Sequence, residues 1–115
     1  MHYRVSDSKI WLTFRNYTVP LDQHSAEECY LAVQGDLLVH GDRIGKLMGK
    51  RELDYQWGSV VLLIKPGEKM RWTDLGYVAR GIGNWLNTYG AVDLNYDVLL
   101  QGTGQIGAGQ LTTTF

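Results

Sequence analysis

The sequence predicts an α+β fold: a two-layer sandwich in which two helices pack on one face of a four-stranded, mostly antiparallel sheet. Two segments carry apolar residues three and four positions apart, between residues that commonly begin and end helices. Segments of alternating apolar and polar residues precede, separate and follow them, which gives the order β-α-β-α-β-β. The chain has 115 residues and no linker or repeat, so we expect residues 1–115 to form one domain.

The composition excludes several classes of partner. Eleven basic and twelve acidic residues give a net charge of −1, and no run of Lys and Arg exceeds two residues. A nucleic-acid or anionic-membrane surface needs clustered positive charge, so neither partner is expected. The longest apolar run, Val60 to Ile64, is far shorter than the roughly 18 residues of a membrane span. The single cysteine, Cys29, excludes an intrachain disulfide and a thiolate metal cluster.

The first strand is predicted from Ile10 to about Val19, where Pro20 ends it. Alternation places one set of side chains in the core and the other set in solvent. The expected core residues are Ile10, Leu12 and Phe14, and the expected solvent-facing residues are Trp11, Thr13 and Arg15. Asn16-Tyr17-Thr18 is a glycosylation sequon, so Asn16 is a modification site if the protein is secreted.

The first helix is predicted from Ser25, which has the spacing of a capping box with Glu28, to about His40. Gly41 is placed to end it. The helical period directs one set of residues to the core: Ala26, Cys29, Tyr30, Val33 and Leu37. A single strand from Tyr55 to Lys65 follows, and its apolar run indicates a central strand that is partly covered on both faces.

The second helix is predicted from Thr73, as N-cap, to Gly90. Its apolar face comprises Leu75, Val78, Ala79, Ile82, Leu86 and Tyr89. Gly76 and Gly83 lie seven residues apart, and each costs about 1 kcal/mol relative to alanine in a helix. The pair therefore predicts a helix pressed closely against the sheet.

The last two strands are predicted at Val92–Leu100 and Gln105–Thr113, joined as an antiparallel hairpin. Asp93, Asn95 and Asp97 alternate with apolar residues and should face solvent. Their spacing resembles the start of a calcium loop, but valine and glycine stand where such a loop needs glycine and glutamate. We therefore interpret the three as a solvated face that could contribute to ligand binding, with a weak surface cation site as the alternative. We expect no dedicated metal site and no cofactor.

The glycines at 102, 104 and 107 have the spacing of a dinucleotide fingerprint. That fingerprint requires a helix immediately afterwards, whereas a β-prone segment follows here. The aromatic content gives a better indication of function. Four tryptophans and seven tyrosines include Trp11, Tyr55 and Trp57, which could stack on sugar rings or anchor a protein interface. The alternative is that these rings fill the contact between helices and sheet.

The second half of the chain has a pattern of motifs followed by two strands. The motifs are Trp72-Thr73-Asp74-Leu75, Arg80-Gly81-Ile82 and Trp85. In this second half the chain resembles small secreted proteins of filamentous fungi. The resemblance implies a secreted α/β-plait protein of effector-like or toxin-like type, most of which have no known activity. The lone Cys29 departs from the disulfides common in such proteins, and a cytoplasmic location stays open.

Three hypotheses follow from the sequence. The first is a non-enzymatic binding protein with a protein or glycan partner, self-associating as a homodimer through the outer sheet face or a terminal strand. The second is a carbohydrate-binding module that uses Trp11, Trp57 or Tyr55. The third is a small hydrolase-type enzyme with a pocket between helix and sheet and Asp93, Asp97 or His24 as acid or base.

Overall fold

A computed structural model describes residues 2–6, 8–15, 19–39, 46–49 and 51–113. Its elements, in chain order, are β1 (His2–Arg4), β2 (Ile10–Arg15), α1 (Gln23–Val39), β3 (Leu53–Trp57), β4 (Val60–Pro66), α2 (Trp72–Tyr89), β5 (Leu94–Leu100) and β6 (Gly104–Thr113). The strands form one antiparallel sheet in the order β1-β2-β5-β6-β4-β3. Both helices pack against this sheet, α1 on β3 and β4 and α2 on β2, as the α+β prediction requires.

The described sheet has six strands, so the expected number of four is wrong. The predicted strand Tyr55–Lys65 divides at Gly58, whose φ of +55° turns the chain so that Trp57 pairs with Val60. The remaining strand is β1, a three-residue segment that pairs with β2 at the edge of the sheet. It is too short to show a hydrophobic period.

The helix α1 begins before the predicted capping box. The carboxylate of Asp22 accepts a hydrogen bond from the backbone N–H of Ser25 at 2.9 Å and another from the Ser25 hydroxyl at 2.6 Å. Asp22 therefore holds the N-cap position, and these hydrogen bonds keep the pKa of its carboxyl below the usual value. Of the predicted core residues, Ala26, Cys29 and Val33 are buried, whereas Tyr30 and Leu37 are half-buried. The predicted end at His40 and Gly41 lies outside the described residues.

The helix α2 spans nearly the predicted segment, with Arg71 rather than Thr73 at the N-cap and Gly90 at its end. All of its predicted core residues are buried except Tyr89, which is exposed. The expectation that Gly76 and Gly83 face the sheet is wrong, because the nearest side chain to a Cβ on Gly76 belongs to Leu37 of α1, at 4.0 Å. A Cβ on Gly83 would lie 2.8 Å from the Tyr30 ring of α1, so this side of α2 faces the other helix and not the sheet.

Candidate functional site

The predicted site residues lie on two different faces of the sheet. Strand register pairs Trp11 with Leu99 and Thr13 with Asp97, on the face that neither helix covers. Tyr55 and Trp57 pair with Leu62 and Val60, two buried residues of the helix-covered face. The three aromatic residues therefore cannot form one stacking platform.

The face opposite the helices, called the outer face from here on, consists of alternate strand residues. Aliphatic, amide, hydroxyl and charged side chains are mixed across its centre. Its members are His2, Arg4, Trp11, Thr13, Arg15, Asp54, Gln56, Val61, Leu63, Lys65, Asn95, Asp97, Leu99, Gln105, Ala108, Gln110 and Thr112. This mixture of polar and apolar side chains differs from the apolar interior between two packed layers.

Trp11 is the large aromatic side chain among these residues, and it is 36% exposed. It stands opposite Arg4 on β1 and opposite Leu99 on β5. Cross-strand neighbours lie close enough to contact each other's side chains. Trp11 therefore has a paired strand on each side, while part of its surface is open to solvent.

A polar cluster lies beside Trp11, centred on Asp97. Arg15 forms an ion pair with this carboxylate, and the Gln105 amide donates to its other oxygen at 3.2 Å. Thr13 stands opposite Asp97 and is hydrogen-bonded to His2 at 3.0 Å. Because the carboxylate is paired and hydrogen-bonded, its oxygens are held in fixed positions on the outer face.

Asp93 and Asn95 complete the predicted polar set at the start of β5. Asn95 stands between Arg15 and Gln110 on the outer face, as alternation predicts. Asp93 precedes the strand, and its backbone N–H donates to the Val19 carbonyl at 2.7 Å. Asn95 thus belongs to the outer face, whereas Asp93 lies at its margin.

Tyr55 has a structural partner on the helix-covered face. Its hydroxyl donates to Asp36 of α1 at 2.6 Å, which ties the edge strand to the helix. Burial, and then this hydrogen bond and the charge of Asp36, raise the pKa of Tyr55 well above its ordinary value. Trp57 lies at the hairpin end of β3 and is 51% exposed.

The proposed acid–base residues do not meet. His24 is on α1 beside Glu28, 4.0 Å away, whereas Asp97 is on the outer face and Asp93 precedes β5. Within the described ranges no three His, Cys, Asp or Glu side chains are grouped so that they could hold a metal ion. Cys29 is buried with its thiol towards the Val60 carbonyl, and burial raises its pKa.

Two grooves between α1 and α2 were not predicted. The larger, about 410 Å³, is lined by Tyr30, Gln34, Leu37, Trp72, Thr73, Gly76, Tyr77 and Arg80. The smaller, about 240 Å³, continues past Tyr30 towards Glu27 and Asn87. In the sequence, Gly76 and Gly83 indicate that a neighbouring element lies close to α2 on that side. Their spacing does not show whether that element is the sheet or α1.

The sequon at Asn16 lies outside the described residues. No helix among those described is long and apolar enough to cross a membrane. No protein-family model matches the chain, and neither a curated protein nor a solved structure is significantly similar to it.

Proposed function

We propose that this protein is a non-enzymatic binding protein that holds a protein partner on its outer face. The observation that carries the proposal is the setting of Trp11, partly exposed between Arg4 and Leu99 on the face opposite both helices. Tryptophan and arginine are the residues whose truncation most often costs binding energy at protein interfaces. Trp11 is therefore the expected anchor.

The surroundings of Trp11 support the same role. The cluster of Asp97, Arg15 and Gln105 supplies hydrogen-bonding groups that a partner can use. A non-enzymatic role also agrees with the separation of Asp93, Asp97 and His24. It agrees as well with the resemblance of the second half to secreted fungal proteins, which we extend to a secreted location as part of the proposal.

The chain provides a matched pair of variants to test this proposal. Trp11→Ala and Trp57→Ala each remove one exposed indole, but from opposite faces of the sheet. A phage-displayed peptide library is selected on the unmodified protein, and each selected peptide is then titrated against the three proteins. We expect peptides whose binding is lost with Trp11→Ala and retained with Trp57→Ala.

The proposal is wrong if the selected peptides bind Trp11→Ala as tightly as the unmodified protein, or if no peptide is selected. Amide chemical-shift mapping of a bound peptide gives an independent check. Shifts should be confined to outer-face residues such as Thr13, Asp97 and Ala108. Shifts confined to the α1–α2 grooves would place the site there instead.

A carbohydrate ligand is the second candidate, and one observation favours it. The indole of Trp11 lies beside a row of hydroxyl, carboxylate and amide groups from Thr13, Asp97 and Gln105. An aromatic face with adjacent polar groups can bind a sugar ring by stacking and hydrogen bonding. A glycan array probed with the same three proteins distinguishes the candidates, since glycan binding that only Trp11→Ala removes would favour a sugar ligand.

A further inference from the structure

We infer that two copies of this protein pair through the free edges of β3, which joins their sheets into one continuous antiparallel sheet. β3 is the last strand of the sheet, and β4 is the one described strand with which it pairs. An edge strand presents backbone N–H and C=O groups that another strand can use. This interface leaves the outer face open, so it does not depend on the binding role proposed for that face.

The hairpin geometry identifies the free backbone groups. Gly58 and Ser59 form a two-residue loop, because Trp57 pairs directly with Val60. In such a hairpin the residues that flank the loop exchange both backbone hydrogen bonds, and every second residue repeats the pattern. The N–H and C=O groups of Asp54 and Gln56 therefore point away from β4, towards the free edge.

Charge and hydrogen bonding select one register for the pair. When Asp54 stands opposite Gln56 of the second copy, all of the outward backbone groups of both strands are bonded. A shifted register would place Asp54 opposite Asp54 of the second copy, and like charges opposite each other are unfavourable. That register would also leave more of the outward backbone N–H and C=O groups without a hydrogen bond. The favoured register is symmetric, as a two-fold dimer requires.

The same register covers exposed apolar surface. Trp57 is 51% exposed and lies on the helix-covered side of the sheet. In the favoured register Trp57 stands opposite Leu53 of the second copy. Leu53 is half-buried in the isolated chain. Pairing therefore removes from water a tryptophan that the isolated chain leaves half-exposed.

The helix α1 carries a matching surface above the edge of β3. Tyr30 and Leu37 line the contact of α1 with α2. The helical period places Glu28, Ala32, Gly35 and Val39 on the opposite side of α1, and the last three are exposed, Val39 at 76%. A Cβ on Gly35 would meet nothing within 4 Å. Small side chains let two α1 helices approach closely over the joined sheet.

The joined surface approaches the area that an interface of standard size buries. The 17 residues of α1 extend about 25 Å, and the helix and strand layers together give a strip of roughly 500 Å² in projection. Interfaces of standard size bury about 600 to 1,000 Å² of accessible surface per partner. Accessible area exceeds the projected area of a rough surface, so the two values are compatible.

Sedimentation velocity over a concentration series tests the interface. We expect the unmodified protein to dimerise. Gln56→Pro removes an outward N–H that the hairpin does not use, so the fold should persist while dimerisation weakens by about tenfold or more. Trp11→Ala, on the outer face, should dimerise normally. Circular dichroism and a melting curve confirm that each variant is folded.

A cross-linking experiment tests the register itself. Asp54→Cys and Gln56→Cys proteins are oxidised with copper phenanthroline, separately and as a mixture. Opposed residues of a bonded pair lie within disulfide reach, so the mixture should cross-link much faster than either variant alone. Cys29 is buried, and the unmodified protein supplies the background.

A monomer at the highest soluble concentration, a dimer that Gln56→Pro leaves intact, or a dimer that Trp11→Ala dissociates would each overturn the inference. Equal cross-linking in the mixture and in the separate variants would do the same.

Discussion

The hydroxyl of Tyr96 lies directly over Gly109, in the space that a Cβ on residue 109 would occupy. Tyr96 on β5 is fully buried, and its side chain crosses β6 to donate a hydrogen bond to the Leu63 carbonyl of β4 at 2.8 Å. One side chain thereby connects three neighbouring strands at the centre of the sheet. The glycine is required because any larger residue would displace the ring.

Gly109→Ala should destabilise the protein by about 1 to 3 kcal/mol, because the new methyl group overlaps the Tyr96 hydroxyl and ring. Urea unfolding measures the loss. Tyr96→Phe alone should cost about 0.5 to 1.5 kcal/mol through the lost hydrogen bond. In the double variant the costs should be less than additive, since the hydroxyl that the methyl group displaces is already absent. Strict additivity would contradict the contact.

The two α2 glycines should respond to alanine with opposite signs. A Cβ on Gly83 would approach the Tyr30 ring to 2.8 Å, whereas one on Gly76 would meet Leu37 at an ordinary 4.0 Å. Gly83→Ala should therefore destabilise by about 1 to 2 kcal/mol, while Gly76→Ala should stabilise by up to about 1 kcal/mol through helix propensity. Thermal melts of the two variants, compared side by side, test this difference. Stabilisation by both would show that α1 and α2 are not tightly packed at Gly83.

Stability should fall at alkaline pH, partly because of Tyr55. Burial and the bond to Asp36 raise its pKa in the folded protein above the value of 10.0 expected for a free tyrosine. The stabilisation that Tyr55 provides is complete below pH 10.0 and is lost as the pH rises above it. The reason is that the Tyr55 hydroxyl loses its proton at a lower pH in the unfolded chain than in the folded protein. Between about pH 9 and pH 11, the unfolding free energy of Tyr55→Phe should decline less steeply than that of the unmodified protein. The difference between the two slopes should be at most about 1.4 kcal/mol per pH unit. Identical slopes would exclude this role.

The ion pair of Arg15 and Asp97 should contribute little to stability. Their side chains are 48% and 22% exposed, and exposed pairs are typically worth about 0 to 1 kcal/mol. Asp97→Asn should therefore lower the unfolding free energy by less than about 1 kcal/mol, and by less still in high salt. Unfolding curves at low and high salt measure both effects. A larger loss would mean that the cluster has a structural role in addition to any role in binding.

Local periodicity was sufficient to predict several elements. The inward residues of β2, the extent of α2 and the outward positions of Asn95 and Asp97 agree with the prediction, because their periods are uninterrupted. The hairpin at Gly58 was missed because its loop is only two residues long, and the continuous apolar run Val60–Ile64 hides the change of period between Trp57 and Val60. The N-cap at Asp22 was missed for another reason. Asp22 and Ser25 are both favourable N-cap residues. Hydrogen bonds of the Leu21 backbone and the Gln23 side chain with Ala91 favour a helix that begins after Asp22.

The candidate site was less predictable than the fold. Alternation identifies which strand residues face outwards, but not which of them meet. Arg15 and Asp97 are 82 residues apart in the chain and become neighbours only through the register of β2 with β5. The same register determines that Leu99 and Arg4 flank Trp11. Short-range sequence patterns contain no information about such pairings.

The order of the strands has a consequence for synthesis of the chain on the ribosome. β5 and β6 are made after the other four described strands, yet they lie in the middle of the sheet and join the β1–β2 flank to the β3–β4 flank. Until they emerge, the two earlier hairpins have no common neighbour and expose edges that can pair with other nascent chains. A premature stop codon before residue 94 would therefore yield an aggregation-prone fragment and not a smaller version of the fold.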